Sequence, residues 1–235
     1  MRLNTLLARL GLLAALSFSG AGAAPSLSYY NARSSFNTAN PNLPVEDFEE
    51  GRVSGVQGEI FNAPLSSASL NSVFLSGEIL PGVTFNNSPG ASAGGLFLAK
   101  PGYAHLFSKA LSVADPSDNL EILFSQRTMA VGLDFFALNS SSSFDLNIYG
   151  AAGLLGTASV TARTDGVPFF FGVSSTDPIT RLSIDTLGGP LELIDNVAFS
   201  SVPEPSCFVL LGLVGVLILV RTRRQALQTG KEISA

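Results

Sequence analysis

Apolar positions recur with a period of two along much of this chain. Asn119 to Ser125 carries Leu120, Ile122 and Phe124, and Ser143 to Tyr149 alternates at Phe144, Leu146 and Ile148. Thr180 to Thr186 alternates at Leu182 and Ile184, and Leu191 to Phe199 carries Leu191, Leu193, Val197 and Phe199. Successive strand residues point to opposite faces, so this spacing predicts half-buried β-strands. Met129 to Ala137 and Phe169 to Val173 are apolar almost throughout, which predicts central strands. Turn formers separate the runs: Pro89-Gly90, Asp115-Pro116-Ser117-Asp118, Ser140 to Ser143, Thr164-Asp165-Gly166 and Gly188-Gly189-Pro190. No long stretch of the body shows the 3.6-residue period of an amphipathic helix. The pattern predicts an all-β fold, a single antiparallel β-sandwich of jelly-roll type over residues 45–201. Residues 24–44 are polar and rich in Asn, Ser and Pro, and are expected to form an irregular lead-in.

The two ends follow a different pattern. Arg2 and Arg9 lead into Leu10 to Phe18, a nine-residue apolar run, and then into the small residues Ser19 to Ala24. Such a run is too short to cross a hydrocarbon core of about 30 Å. The order of the three zones, with Ala21 and Ala23 in an A-x-A pattern, predicts a signal peptide over residues 1–23, cleaved after Ala23 and taken up by the Sec export machinery. Near the other end, Ser206 to Val220 holds no charge and would span roughly 22 Å as a helix. Residues 207–220 are expected to form one C-terminal transmembrane helix, with its flanks extending the reach. The cluster Arg221, Arg223 and Arg224 then places residues 225–235 in the cytoplasm and the body outside it.

Val202-Pro203-Glu204-Pro205-Ser206 stands just ahead of that span. Its prolines fix φ and disfavour helix in the residue before each, leaving an extended peptide accessible at the membrane. The order of this motif, a Leu/Gly/Val-rich span and an Arg cluster over residues 202–224 resembles the PEP-CTERM sorting signal. That signal is carried by exported proteins of exopolysaccharide-making Gram-negative bacteria. The resemblance implies recognition of Pro203, Glu204 and Pro205 by an exosortase, a membrane-embedded transpeptidase-like protease. It also implies an inner-membrane intermediate followed by delivery to the cell surface or the extracellular matrix. The chain departs from the pattern in continuing to Ala235 beyond the Arg cluster.

Composition narrows the chemistry. Charged residues make up 13% of the chain, against about 25% in average proteins. Residues 25–205 hold seven basic and 17 acidic side chains, a net charge near −10. No basic stripe offers itself to nucleic acid, and an acidic surface repels anionic polysaccharide. One Cys cannot pair within the chain, and one His cannot build a histidine metal centre. Cys207 falls in the apolar tail, where it is a small hydrophobe or an acylation site. A body of this length hides roughly 70% of its unfolded surface, so it can hold a core without cystine. Gly90-Ala91-Ser92-Ala93-Gly94 fits the letters G-x-S-x-G but follows Pro89 in a turn-rich loop stretch, and no strand-associated glycine-rich phosphate cradle is present. His105 is expected on a strand, on the same face as Tyr103 and Phe107. Two carboxylates distant in sequence could still meet, which keeps a secreted hydrolase of matrix polysaccharide as the alternative to a non-catalytic module.

The body opens with Glu46-Asp47-Phe48-Glu49-Glu50 and closes with Ile194-Asp195-Asn196-Val197. These ends resemble those of galactose-binding-like carbohydrate modules. The resemblance implies a structural calcium tying the first strand to the last, with Glu49 and Asp195 as its ligands. Sugar sites stack aromatic rings on the sugar face. Trp is absent, most of the 17 Phe are core candidates, and Tyr29 and Tyr30 lie in the polar lead-in as candidates for exposure, from which no binding site is named. The body is thus expected to be a structural, adhesive or glycan-binding module, with no catalytic residue assigned.

Overall fold

The computed structural model describes residues 25–88, 94–137, 142–162, 166–185 and 191–200. Ala23, the Pro203–Pro205 motif, the expected transmembrane stretch and the Arg cluster lie outside them. No helix among the described residues is long and apolar enough to cross a membrane.

The chain forms β1 (Leu27–Tyr30), α1 (Arg33–Ala39), β2 (Val45–Glu46), β3 (Gly58–Phe61), β4 (Leu65–Ser66), β5 (Val83–Asn87), β6 (Leu96–Ala99) and β7 (Ala110–Val113). It continues with β8 (Leu120–Ala137), β9 (Ser142–Gly150), β10 (Gly153–Ala162), β11 (Phe169–Asp185) and β12 (Glu192–Phe199). All pairings are antiparallel. The main path runs β10-β9-β11-β8-β12-β7-β6-β3, with β1 beside β11, β2 beside β12, β5 beside β8 and β4 beside β5.

β8 and β11 organise this sheet. They pair along two stretches, Phe169–Ser174 with Ala130–Phe135 and Arg181–Ile184 with Leu120–Leu123, with the register broken between. The first stretch is flanked by β1 and β12, the second by β9 and β5. The break lets the sheet double over, so that its two halves face each other. Phe135 of one half stacks on Phe144 of the other with ring centroids 5.9 Å apart, and Phe124 meets Phe199 at 5.8 Å. Val83, Phe85, Leu120, Ile122, Val131, Leu133, Leu182, Ile184 and Ile194 share one core between the halves.

The outer face of one half is covered as well. Phe36 of α1 packs with Ala130, Phe170 and Ala198. Leu106 packs with Ala99, Ala110, Phe136 and Leu193. Double-sided burial explains why Met129 to Ala137 lacks alternation. Asp115 closes its turn as expected: its carbonyl accepts the N–H of Asp118 at 3.0 Å, and its side chain accepts that of Ser117 at 2.9 Å.

Three expectations are corrected. The stretch 24–44 carries β1 and α1, held to the sheet by cross-strand pairing and by Phe36. The runs around 119–125 and 129–137 form one strand, β8, as do those around 169–173 and 180–186, β11. His105 is not on a strand. It ends a short 3₁₀ turn from Tyr103, with φ of 49° at Ala104 and 62° at His105, and its side chain is exposed.

Gly132 and Gly172 face each other across β8 and β11 beneath the Phe36 ring. A Cβ on either would stand 2.7 Å from a Phe36 ring carbon. Gly172→Ala is therefore expected to lower stability by about 1–3 kcal/mol through overpacking, read from urea unfolding. Unchanged stability would show that α1 is not seated on this glycine pair.

Candidate functional site

β1 and β10 lie at the margins of the two half-sheets, and a groove runs between them. Tyr29, Tyr30 and Asn31 form one wall, Ala158 to Val160 the other, and Phe169 and Phe171 of β11 the floor. Its volume is about 310 Å³, at the small end of ligand sites. Alternation along β1 puts Tyr29 on the face of Leu27, which packs against the core between the halves, while Tyr30 faces Phe36; at this margin 48% of Tyr29 stays exposed. Its ring lies 6.1 Å from that of Phe171 at 48°, and its hydroxyl donates to the Thr157 carbonyl at 3.3 Å. Partial desolvation raises the phenol above its ordinary value, so it stays a proton donor at neutral pH. Gly156 makes room for this arrangement, since a Cβ there would stand 2.5 Å from Leu27 and 3.0 Å from the Tyr29 hydroxyl. The groove thus offers aromatic faces beside the polar atoms of Asn31 and Ser159. A larger, shallower hollow of about 640 Å³ lies along Ser54 to Ile60 but has one ring, Phe97.

The expected pair Glu49 and Asp195 is brought to one neighbourhood. Ser108 and Lys109 join the two. Lys109 donates its backbone N–H to Glu49 Oε1 at 2.8 Å, and its ammonium to the Glu49 carbonyl at 2.6 Å and to Oε2 at 3.3 Å. Ser108 Oγ donates to Asp195 Oδ2, which also accepts Asn196 Nδ2 at 3.2 Å, while Asp195 Oδ1 accepts the Asn196 N–H at 2.6 Å. Every carboxylate oxygen of the pair is committed to a donor of this chain, and a cationic ammonium already sits on Glu49. This donor set does not fit a calcium ion between Glu49 and Asp195. Lys109 escaped the sequence reading because a lone Lys seven residues after Gly102 carries no local signal.

Asp195 also meets Asp134, its direct partner across β12 and β8. Asn196, at φ 52° in the bulge of β12, donates to Asp134 Oδ2 at 3.1 Å. Arg33 bridges to Asp134 Oδ1 and to the Asn196 carbonyl, both at 3.0 Å. Burial, with Asp134 and Glu49 nearby, pushes Asp195 up to about 7, while its hydrogen bonds from Ser108 and Asn196 oppose the rise. A raised acid beside a second carboxylate is the arrangement a hydrolase needs. Here, however, Asp195 is 1% exposed and Asp134 7%, and neither lines the grooves above.

A second acidic group comprises Glu46, Asp47 and Glu50, with one carboxylate oxygen of each within 4.8 Å of the others. Glu46 is buried and satisfied, accepting the N–H of Phe48 at 3.1 Å and of Leu80 at 2.7 Å. Asp47 accepts the Glu49 N–H, and both Asp47 and Glu50 are open to water. This segment is a backbone clasp joining β2 to the chain before Leu80.

Burial raises Glu46, Glu121 and Asp195, and raises Glu192 furthest. A folded state that holds protons the unfolded chain releases loses stability as pH rises. The contribution is complete below the ordinary carboxylate range near 4 and, for Asp195, is gone above about 7. Asp195 alone accounts for on the order of 4 kcal/mol at most, or roughly 10 °C in Tm. In metal-free buffer, Tm is expected to fall from about pH 4 to pH 7, and Asp195→Asn to flatten the slope. A Tm that rises across this window in calorimetry would contradict these burial effects.

No family model matches the chain, and no curated protein matches it. Among solved structures, one titled "BiXyn10A CBM1 APO" aligns over 74% of this chain and 97% of its own length, at 8% identity and a TM-score of 0.28. A likeness that slight carries neither fold nor activity, so the antiparallel all-β architecture rests on the strand pairing described above.

Proposed function

We propose that this chain is an exported, non-catalytic module of the cell surface or exopolysaccharide matrix, and that its body holds a neutral glycan in the Tyr29 groove. The groove carries the reading. Tyr29 and the half-buried Phe169 offer aromatic faces for the apolar side of a sugar ring, with Phe171 buried beneath them and Asn31 and Ser159 beside them for hydroxyls. The acidic surface favours an uncharged polymer over an anionic one. Delivery rests on the tail: the Pro203-Glu204-Pro205 motif, the uncharged stretch and the cluster Arg221, Arg223 and Arg224 are read by an exosortase, which leaves the body at the surface.

Two measurements test this. In affinity electrophoresis through gels containing hydroxyethylcellulose, dextran or galactomannan, the protein is expected to be retarded by at least one polymer. Tyr29→Ala should weaken the retardation about tenfold, the equivalent of one stacking contact, while Tyr29→Phe keeps most of it. Equal mobility of the wild type and Tyr29→Ala in all three gels removes the groove from the reading. In a host with its exosortase, replacing Pro203, Glu204 and Pro205 by Ala should leave a species whose mass includes the tail to Ala235. A mature mass unchanged by that replacement removes the sorting assignment.

A further inference from the structure

The groove between β1 and β10 is shut at one end. Leu27 and Gly156 approach so closely there that a Cβ on Gly156 would stand 2.5 Å from Leu27 Cδ1. Beside this contact the Tyr29 hydroxyl crosses the gap to the Thr157 carbonyl at 3.3 Å and ties the two margins together. Leu27 also packs against the core between the halves, so the closure is backed by the body of the protein. The stretch of β10 that lines the groove, Ala158 to Val160, begins directly after this bridge.

The floor is closed as well. Val160 is 1% exposed and Phe171 5%, and both belong to the core. Tyr30 pairs with Gly172, so the chain runs on past Phe171 toward Phe169, away from the bridge. Asn31 and Ser159 stand exposed at the rim, and Phe169 is half-buried. The groove thus follows three residues of β10, roughly 7–10 Å at the rise of a strand. It encloses about 310 Å³, near the lower limit of small-ligand sites. That is room for one sugar ring with its substituents and not for a run of rings.

An internal residue of a polysaccharide carries chain on both sides and must leave its site in two directions. Along this groove one direction is blocked by Leu27 and the Tyr29–Thr157 bridge. A terminal residue carries a single glycosidic bond to the rest of the polymer, and one exit is enough for it. Resting on the reading of this groove as a glycan site, we propose that it selects the terminal residue of a neutral glycan, either a chain end or a one-residue branch. The residue sits with its linkage directed away from the bridge. Tyr29 is then both the stacking ring and the end wall.

The test uses the full-length chain in three gels. Residues of hydroxyethylcellulose are almost all internal, galactomannan carries one-residue galactose branches, and dextran carries glucose-ended branches. Retardation is expected in galactomannan or dextran and not in hydroxyethylcellulose. Methyl α-galactoside in the first gel, or methyl α-glucoside in the second, should restore free mobility. Isomaltotriose should compete less than about tenfold better than methyl α-glucoside, because tenfold is what about 1.4 kcal/mol from a second bound residue would add. Retardation in hydroxyethylcellulose overturns the selection of terminal residues and leaves the groove a glycan site. Relief of galactomannan retardation by mannotriose and not by methyl α-galactoside does the same. Free mobility in all three gels overturns the glycan reading and this inference with it.

Discussion

The antiparallel pairing of β8 with β11 is the constraint on which the rest of the structure depends. Each strand belongs to both halves of the sheet, so the two halves cannot fold independently of this pair. The register break between Ser174 and Ile179 turns one ladder into two facing layers. β9, β5, β12 and β1 then add to ladder edges already placed. The contacts are long-range in sequence, and closing such loops before they are rewarded predicts slow folding. Gly132 and Gly172 sit within this pair, and their missing side chains let Phe36 close the outer face.

The strand content was legible because a two-residue period survives wherever one face meets the core and the other meets water. Leu120, Ile122 and Phe124, and Phe144, Leu146 and Ile148, all lie in the core as their spacing implied. Long-range geometry was not legible. Nothing between Ser125 and Met129 announces that a strand continues through a bend, because Gln126, Arg127 and Thr128 resemble loop residues. β12 misled in another way. Its bulge at Asn196 shifts the alternation, so Ile194, Val197 and Phe199 face the core while Leu193 faces outward. The strand was recognisable, but the face that Glu192 takes was not.

The same limit explains the acids. Sequence proximity to strand ends singled out Glu49 and Asp195, and the fold does bring them near each other. What it could not give was Lys109, whose ammonium lies on Glu49, or Ser108, which bonds Asp195. Both come from a loop some 60 residues after Glu49 and 87 before Asp195. Glu192 carried a weak signal, an acid inside a run of Leu and Ile. In a half-buried strand that position faces water. In this doubly covered half-sheet it does not, and burial with unfilled oxygens follows.

Sites arise in this protein where the two layers part rather than where they pair. Along the paired stretches, backbone groups bond each other and side chains interdigitate. At the β1–β10 margin the ladder is interrupted, and one hydroxyl bond from Tyr29 to Thr157 spans the gap. Tyr29 and Phe169 are therefore half-packed, held in place over the buried Phe171 of β11 yet open on one side. At the start of β12, Glu192 enters a layer that elsewhere admits Leu, Ile and Phe, and it is fully buried there. The parting of the halves opens the groove at the β1–β10 margin, and residue type decides what it can hold: aromatic faces beside amide and hydroxyl groups.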